Sequence, residues 1–483
     1  MQSVIFLAIL AYFFFIFFVS RLAGGSDLAT SSFFNGGKKS RWYLVATGMV
    51  SASVSGISIV SVTGMVGDCG FTYMQMVFGF FFGYVAIVYV LLPLYYRLNL
   101  TSIYGYLSLR FGPHSHKTGA LFFILFKFVT ATSKLYIVLV VLQFYIFDSW
   151  GVPFFLSAML FICFIFAYTF RSGLKALVWT DCFQTVSMLL AVTLLIYSVM
   201  VHLDFNFAQM LTAVCENPNS KIFVFDDFYS RQNFFKQFLS GIFVVIVMTG
   251  LDQDVMQKNL SCPNLHDARK NMMCYGASFI PVNLMFLVLG CLLLILAQKE
   301  GISLPDKADH ILPFFAMHYF GQGVAILFVV ALLAAAFSSA DSALVSLTTS
   351  VSVDILNIKT ENLTIRKRVF IHSIICIVFC LLMLLFRLVN NQNALDSIYT
   401  IVSYLYGPLL GLYAFGLFTK YVANDSLVPY VCVFSPIICF ALSVLANNIF
   451  KYHFGYEMLL FNGMLTFWGL YLTRIKGQCK IPV

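Results

Sequence analysis

Apolar runs long enough to cross a lipid bilayer follow one another along the whole chain. A transmembrane helix needs about 20 predominantly apolar residues, and polar breaks divide this sequence into thirteen candidate spans. Only 10% of the 483 residues are charged and 60% are hydrophobic, so a water-soluble fold could not present a polar surface. The sequence therefore predicts an all-α polytopic membrane protein and excludes a soluble enzyme, a disordered chain and a secreted disulfide scaffold. The predicted spans are 2–19, 43–65, 70–96, 118–147, 152–170, 176–202, 234–256, 273–297, 313–349 (including a short outer helix), 369–388, 395–418, 428–447 and 455–473.

The distribution of Lys and Arg predicts how the chain is oriented in a cell membrane, because cytoplasmic loops are enriched in these residues. With the N-terminus outside, twenty of the 29 fall on the inner side, Lys258 among them, and seven fall outside. Lys127 and Lys134 lie within the fourth span. We therefore expect an uncleaved first helix and a cytoplasmic C-terminus, and no nucleic acid partner. The chain has no nucleotide-binding loop or protease signature, so we assign no catalytic residue and expect an ion gradient to drive any transport.

Two predicted spans are rich in small polar residues. In residues 51–64, eight of fourteen are Ser, Thr or Gly, which lowers the cost of unwinding and would free carbonyl oxygens for a small cation such as Na+. In residues 334–350, Ser338, Ser339 and Ser342 share one helical face close to Asp341. The alternatives are packing of small residues between helices and hydroxyls bonded to their own helix.

Acidic side chains in two further spans are candidate functional groups, because charge inside a membrane is expensive. Asp181 lies about one turn into its span and becomes significant if it meets the face of Ser338; otherwise it could rest at the headgroup level. Residues 252–257, at the inner end of another span, are mostly acids and amides. The alternative to a functional role for them is a helix end exposed to solvent. Lys134 could snorkel inward or pair with one of these acids.

Several stretches, taken in chain order, resemble the sodium:solute symporter family. Each stretch is short, and the resemblance rests on their order, spacing and sidedness over nearly the whole chain. They are SSFFNGGKKSRWYLVATGMVSASVSG (31–56), TSIYGYLSLRFG (101–112), LVWTDCFQ (177–184), TGLDQDVMQKNL (249–260), SSADSALVSLTTSVSVDI (338–355) and YGPLLGLYAFGLFTK (406–420).

The resemblance implies a LeuT-type architecture, in which two five-helix repeats of inverted topology surround sites at mid-membrane. The repeats would be 43–202 and 234–418, joined by an outer loop at 203–233. A peripheral helix at 1–22 and two peripheral helices with a short tail at 428–483 complete the expected organisation.

The resemblance also implies a first Na+ site between the broken first core helix and the eighth. Its expected ligands are the carbonyls of Ser51, Val54 and Ala335 and the hydroxyls of Ser338 and Ser339. Some members bind a second Na+ through an Asp on the fifth core helix and hydroxyls on the eighth. The matching positions here are Asp181, Ser338, Asp341 and Ser342.

The predicted function is Na+-coupled uptake of a small organic solute by alternating access, with the lipid bilayer as environment. Proton coupling and a non-transporting solute receptor on the same fold are the alternatives. Ser53 stands where the family's proline symporters carry an Asp, which disfavours proline. The identity of the solute, the Na+ stoichiometry and the oligomeric state stay open. Solute contacts are expected from Ser55, Ser58, Tyr73, Gln75, Asp252 and Tyr404.

Overall fold

Helices occupy every apolar run that the sequence predicted to span a membrane. The structure is a computed structural model that describes residues 2–24, 36–228, 230–358, 363–389, 394–452 and 454–478. Its α-helices, numbered in chain order, are α1 Gln2–Gly24, α2 Trp42–Ser53, α3 Val66–Cys69, α4 Tyr73–Ala86, α5 Leu92–Arg97, α6 Gly105–Arg110, α7 Pro113–Leu142, α8 Phe154–Leu203, α9 Phe207–Glu216, α10 Phe234–Val245, α11 Gln253–Asn259, α12 Leu265–Glu300, α13 Ile311–His318, α14 Gln322–Ser350, α15 Ile365–Val389, α16 Ala394–Leu405, α17 Gly407–Phe418, α18 Val428–Phe450 and α19 Met458–Leu472.

Within the described residues, eight helices are long and apolar enough to cross a membrane. A ninth is added if α10, its π-helical extension to Gly250 and α11 form one bent span. Some predicted spans are divided: 395–418 breaks at Tyr406 between α16 and α17, and the short helix α13 precedes α14 as expected. The structure thus supports a polytopic helical protein, while the count of thirteen and the orientation of the termini stay predictions.

One departure from the predicted all-α fold is a small sheet. Strands β1, Tyr421–Ala423, and β2, Arg474–Gln478, pair antiparallel after the ends of α17 and α19. Such short strands carry no detectable period in the sequence, because they cover only three and five residues.

Helix α8 is broken at Gly173 (φ 58°, ψ −167°), between the predicted spans 152–170 and 176–202. Two further interruptions lie inside apolar segments. Helix α2 ends at Ser53, where Val54 takes an extended conformation (φ −75°, ψ 97°), as the composition of residues 51–64 predicted. The second interruption follows Gly250 and turns the chain by 69°. The sequence did not predict this second break. It is stabilised by two buried tyrosines: Tyr95 donates to the carbonyl of Gly250 and Tyr104 to that of Leu251, both at 2.8 Å.

Helix α14 lies at the centre of the protein, and every residue from Ala331 to Ser350 is buried. Its hydroxyls and its carboxylate must therefore find partners in neighbouring helices. Helix α2 approaches the facing helix α8 closely because residue 48 is a glycine. A Cβ atom there would lie 2.9 Å from the Cβ of Asp181 and 3.2 Å from the carbonyl oxygen of Val178.

We expect Gly48→Ala to destabilise the protein by about 1–3 kcal/mol, because the added methyl group would force α2 away from α8. Thermal unfolding of the purified protein measures the effect. Gly323→Ala is the matched control, since a Cβ at this exposed helical glycine meets nothing within 4 Å. Equal melting temperatures for the two variants would contradict the proposed close approach.

Candidate sodium and solute sites

A cluster of hydroxyl groups joins the broken helix α2 to α14. Ser51 Oγ lies 2.9 Å from Ser338 Oγ and 3.0 Å from the carbonyl oxygen of Asp181 on α8. Ser339 Oγ donates to the carbonyl of Ala52 at 3.0 Å. Ser338 and Ser339 therefore bond across helices, which contradicts for these two serines the alternative that they bond only within their own helix.

The five residues expected at a first Na+ site lie on the two helices that meet at this junction. Val54 marks the end of α2, and Ala335 precedes the two serines of α14 by about one turn. Carbonyls in the last turn of a helix lack intrahelical N–H partners, so those at the end of α2 remain available to a ligand, whereas Ala335 lies in the middle of α14. Together with the hydroxyls they form the oxygen-only donor set that an unwound helix offers to Na+. The residues present fit a Na+ ion, and their role as ligands stays a proposal.

Asp181 is fully buried between α8, α14 and α11. Ser338 Oγ donates to Asp181 Oδ1 at 2.5 Å, and Lys258 Nζ lies 2.7 Å from Oδ2. The first contact meets the condition set by the sequence, because Asp181 contacts the serine face and is fully buried within the protein. The second contact corrects the assignment of Lys258 to the charged residues of the inner side. Its side chain is only 2% exposed, so it does not belong to the protein surface.

Asp341 and Ser342, the other residues expected at a second Na+ site, bond to each other. Ser342 Oγ donates to Asp341 Oδ1 at 3.2 Å, and the hydroxyl of Tyr168 donates to Oδ2 at 2.9 Å. Asp341 therefore has two hydroxyl donors and is fully buried.

A cavity of about 100 Å³ lies between the two helix breaks. Three of the expected solute contacts line it, namely Ser58, Tyr73 and Asp252. Ser55 lies beside it, with its Oγ 3.5 Å from that of Ser58. Ser53 also lines the cavity and bonds to the hydroxyl of Tyr275.

The structure does not bring the two remaining expected contacts to this cavity. Gln75 is bonded to the loop before α10: its Nε2 donates to the carbonyl of Gln232 and its Oε1 accepts from the N–H of Val224. The ring of Tyr404 packs against Phe440 of α18. Helical periodicity explains why Tyr404 does not face the cavity. Side chains two residues apart on a helix point to different faces, so Tyr404 and Tyr406 point in different directions.

Tyr406, at the break between α16 and α17, contacts one of the expected solute residues, Asp252. Its hydroxyl donates to Asp252 Oδ2 at 2.9 Å. Tyr406 is not among the residues expected at the site, although the following Gly407 and Pro408 indicate a helix boundary at this position.

A buried ion-pair network forms one side of the cavity. Lys127 Nζ lies 3.1 Å from Asp252 Oδ2 and 2.7 Å from Asp254 Oδ2. Gln253 and Gln257 are also buried, and they bond to Ile103, Thr101 and Thr349. The alternative interpretation of residues 252–257 as a solvated helix end is therefore wrong, since the bend after Gly250 turns this segment into the protein.

Lys134 also lines the cavity, on the same face of α7 as Lys127 and Thr130. Among the described residues no carboxylate lies within 4.0 Å of its ammonium group, so it neither pairs with the acids nor leaves the cavity lining. Neither Lys127 nor Lys134 is among the residues expected at the solute site. Their i, i+3, i+7 spacing with Thr130 is the signal that could have done so.

Two interrupted helices around a buried polar cavity define a secondary transporter of the LeuT type. The Sodium:solute symporter family matches residues 33–426 of the chain, which covers most of its length. The chain therefore belongs to the sodium:solute symporter family. It is an integral membrane transporter and not an enzyme, and Na+ is its coupling ion.

Curated relatives carry different solutes according to their names. The chain is 25% identical over 385 residues to the sodium/sialic acid symporter NanT of Aliivibrio fischeri, covering 78% of this chain and 75% of NanT. It is 25% identical over 413 residues to the human sodium/iodide cotransporter, covering 82% of this chain and 62% of that protein. With the mouse sodium-coupled monocarboxylate transporter 1 the identity is 24% over 414 residues, covering 83% of this chain and 66% of the transporter.

Solved structures show the same fold. A Na+-coupled sialic acid symporter in a substrate-bound, outward-open state superposes with a TM-score of 0.80 at 19% identity, covering 97% of both chains. Mhp1, a nucleobase-cation-symport-1 family transporter, gives a TM-score of 0.60 at 13% identity, covering 93% of this chain and 94% of Mhp1.

Proposed function

We propose that this protein takes up a small anionic solute, an organic carboxylate foremost, together with Na+ by alternating access. The observation that carries the choice of an anion is Lys134. Its ammonium group lines the central cavity without a carboxylate partner within 4.0 Å in the described part of the chain. A charge without a counter-ion inside a membrane-spanning segment is costly, so a bound anion would offset that cost.

The other charges of the cavity support this assignment because they compensate one another. Lys127 lies between Asp252 and Asp254, and Tyr406 donates to Asp252. These groups therefore have partners before a solute binds. Three relatives described above are named for sialic acid, iodide and monocarboxylates, and such solutes share an acidic or anionic character.

The Na+ dependence of the proposed cycle follows from the junction of α2 and α14. Na+ held by carbonyls of α2 and by Ser338 and Ser339 would fasten the broken helix to α14. The same broken helix supplies Ser53 and Ser58 to the solute cavity. Binding of the ion would thus stabilise the walls of the cavity, which couples the two ligands.

Uptake into proteoliposomes tests the proposal. Lactate, pyruvate, sialic acid and iodide are compared with galactose, proline and myo-inositol, each with an inward Na+ gradient or with choline replacing Na+. We expect Na+-dependent accumulation of at least one anion and of none of the neutral or zwitterionic solutes. Accumulation of a neutral solute alone would overturn the anion assignment. Uptake that requires a pH gradient and not Na+ would indicate proton coupling.

Lys134→Gln is expected to raise the KM for the anion identified in that assay about 10–100-fold. A hydrogen bond to a charged group contributes about 1.5–3 kcal/mol, and about 1.4 kcal/mol corresponds to a factor of ten. Lys134→Arg is the control that keeps the positive charge. An unchanged KM in Lys134→Gln would exclude Lys134 from solute binding.

A further inference from the structure

The residues expected at a second Na+ site do not fit a second ion, because a lysine already occupies the carboxylate. Lys258 Nζ lies 2.7 Å from Asp181 Oδ2, and Ser338 Oγ donates to Oδ1 at 2.5 Å. Both oxygens of Asp181 therefore have donors from the protein. The side chains of Asp181 and Lys258 are 0% and 2% exposed, so water contributes little to their solvation.

Helix α11 holds Lys258 in this position through several contacts. Gln253 accepts from the N–H of Ile103 at 2.9 Å and donates to the carbonyl of Thr101 at 3.1 Å. Gln257, next to Lys258, donates to Thr349 Oγ1 at 3.0 Å. A lysine on a helix anchored from both sides brings its ammonium group to Asp181 as part of the fold.

The remaining residues of the expected second site also have partners. Ser342 Oγ donates to Asp341 Oδ1, and Tyr168 donates to Oδ2. A Na+ ion at Asp181 would compete with an ammonium group already in contact with the same carboxylate. Like charges at this separation repel strongly away from water.

We propose that Lys258 is the built-in cation of Asp181 and takes the place of a second Na+. The protein then binds one exchangeable Na+, at the junction of α2 and α14. The ion pair also links α11, which follows the bend after Gly250, to α8. This inference rests on the proposed function and adds the Na+ stoichiometry.

Equilibrium binding of ²²Na+ to the purified full-length protein tests the inference without knowledge of the solute. We expect one Na+ per chain in the unmodified protein and in Lys258→Arg. Lys258→Gln leaves Asp181 with an unpaired carboxylate, so the count should rise to two. The double variant Lys258→Gln/Asp181→Asn removes both charges and should return the count to one.

Two Na+ per unmodified chain would overturn the inference, and this measurement does not depend on how any variant folds. A count of one in folded Lys258→Gln would also overturn it. No bound Na+ in the unmodified protein would instead contradict the proposed Na+ site at the junction of α2 and α14, and with it the proposed function. The failure of the stoichiometry and the failure of the proposed function are therefore distinguishable.

Discussion

Replacement of both Ser338 and Ser339 by alanine is expected to weaken Na+ binding by at least about 100-fold and to abolish Na+-dependent uptake at ordinary Na+ concentrations. Each hydroxyl in contact with a charged partner contributes about 1.5–3 kcal/mol, so the loss of both removes several kcal/mol. The Na+ concentration that gives half-maximal uptake, together with ²²Na+ binding, measures the effect.

Ser346→Ala is the matched control for the double variant. Ser346 lies on the same helix and is equally buried, but its hydroxyl donates to the carbonyl of Ala343 within α14. Loss of this local bond should leave the Na+ dependence unchanged. If the double variant transports with the Na+ affinity of the unmodified protein, the first Na+ site lies elsewhere.

Lys127→Met is expected to destabilise the protein by about 3–5 kcal/mol, because it leaves the buried carboxylates of Asp252 and Asp254 without their shared cation. Thermal unfolding measures the loss. The triple variant Lys127→Met/Asp252→Asn/Asp254→Asn should recover much of it, since it removes all three charges.

A surface ion pair provides the control for Lys127→Met. Lys299 and Asp204 are 3.9 Å apart and their side chains are 48% and 92% exposed. Lys299→Met should therefore change the stability by about 0–1 kcal/mol. A similarly small effect of Lys127→Met would mean that water reaches the network and that it does not form a buried wall of the cavity.

The prediction of helix breaks shows where local sequence patterns succeed. Residues 51–64 are rich in Ser and Gly, and α2 ends among them at Ser53. The second break, after Gly250, has a single glycine and no comparable composition. Its carbonyls are satisfied by Tyr95 and Tyr104, which lie about 150 residues earlier in the chain. The residues adjacent to Gly250 in the sequence therefore do not indicate that those donors are present.

The amino-acid sequence by itself determined the class of protein, the serine face of α14 and the family. These properties depend on composition, on helical period and on short motifs, all of which are local. Only the tertiary structure decided which charges meet. Asp181 and Lys258 are separated by 77 residues, and their contact requires the 69° bend that turns α11 into the protein. A lysine assigned to the membrane surface by its position in the chain thus became the counter-ion of a buried carboxylate, because burial of either charge without the other is too costly.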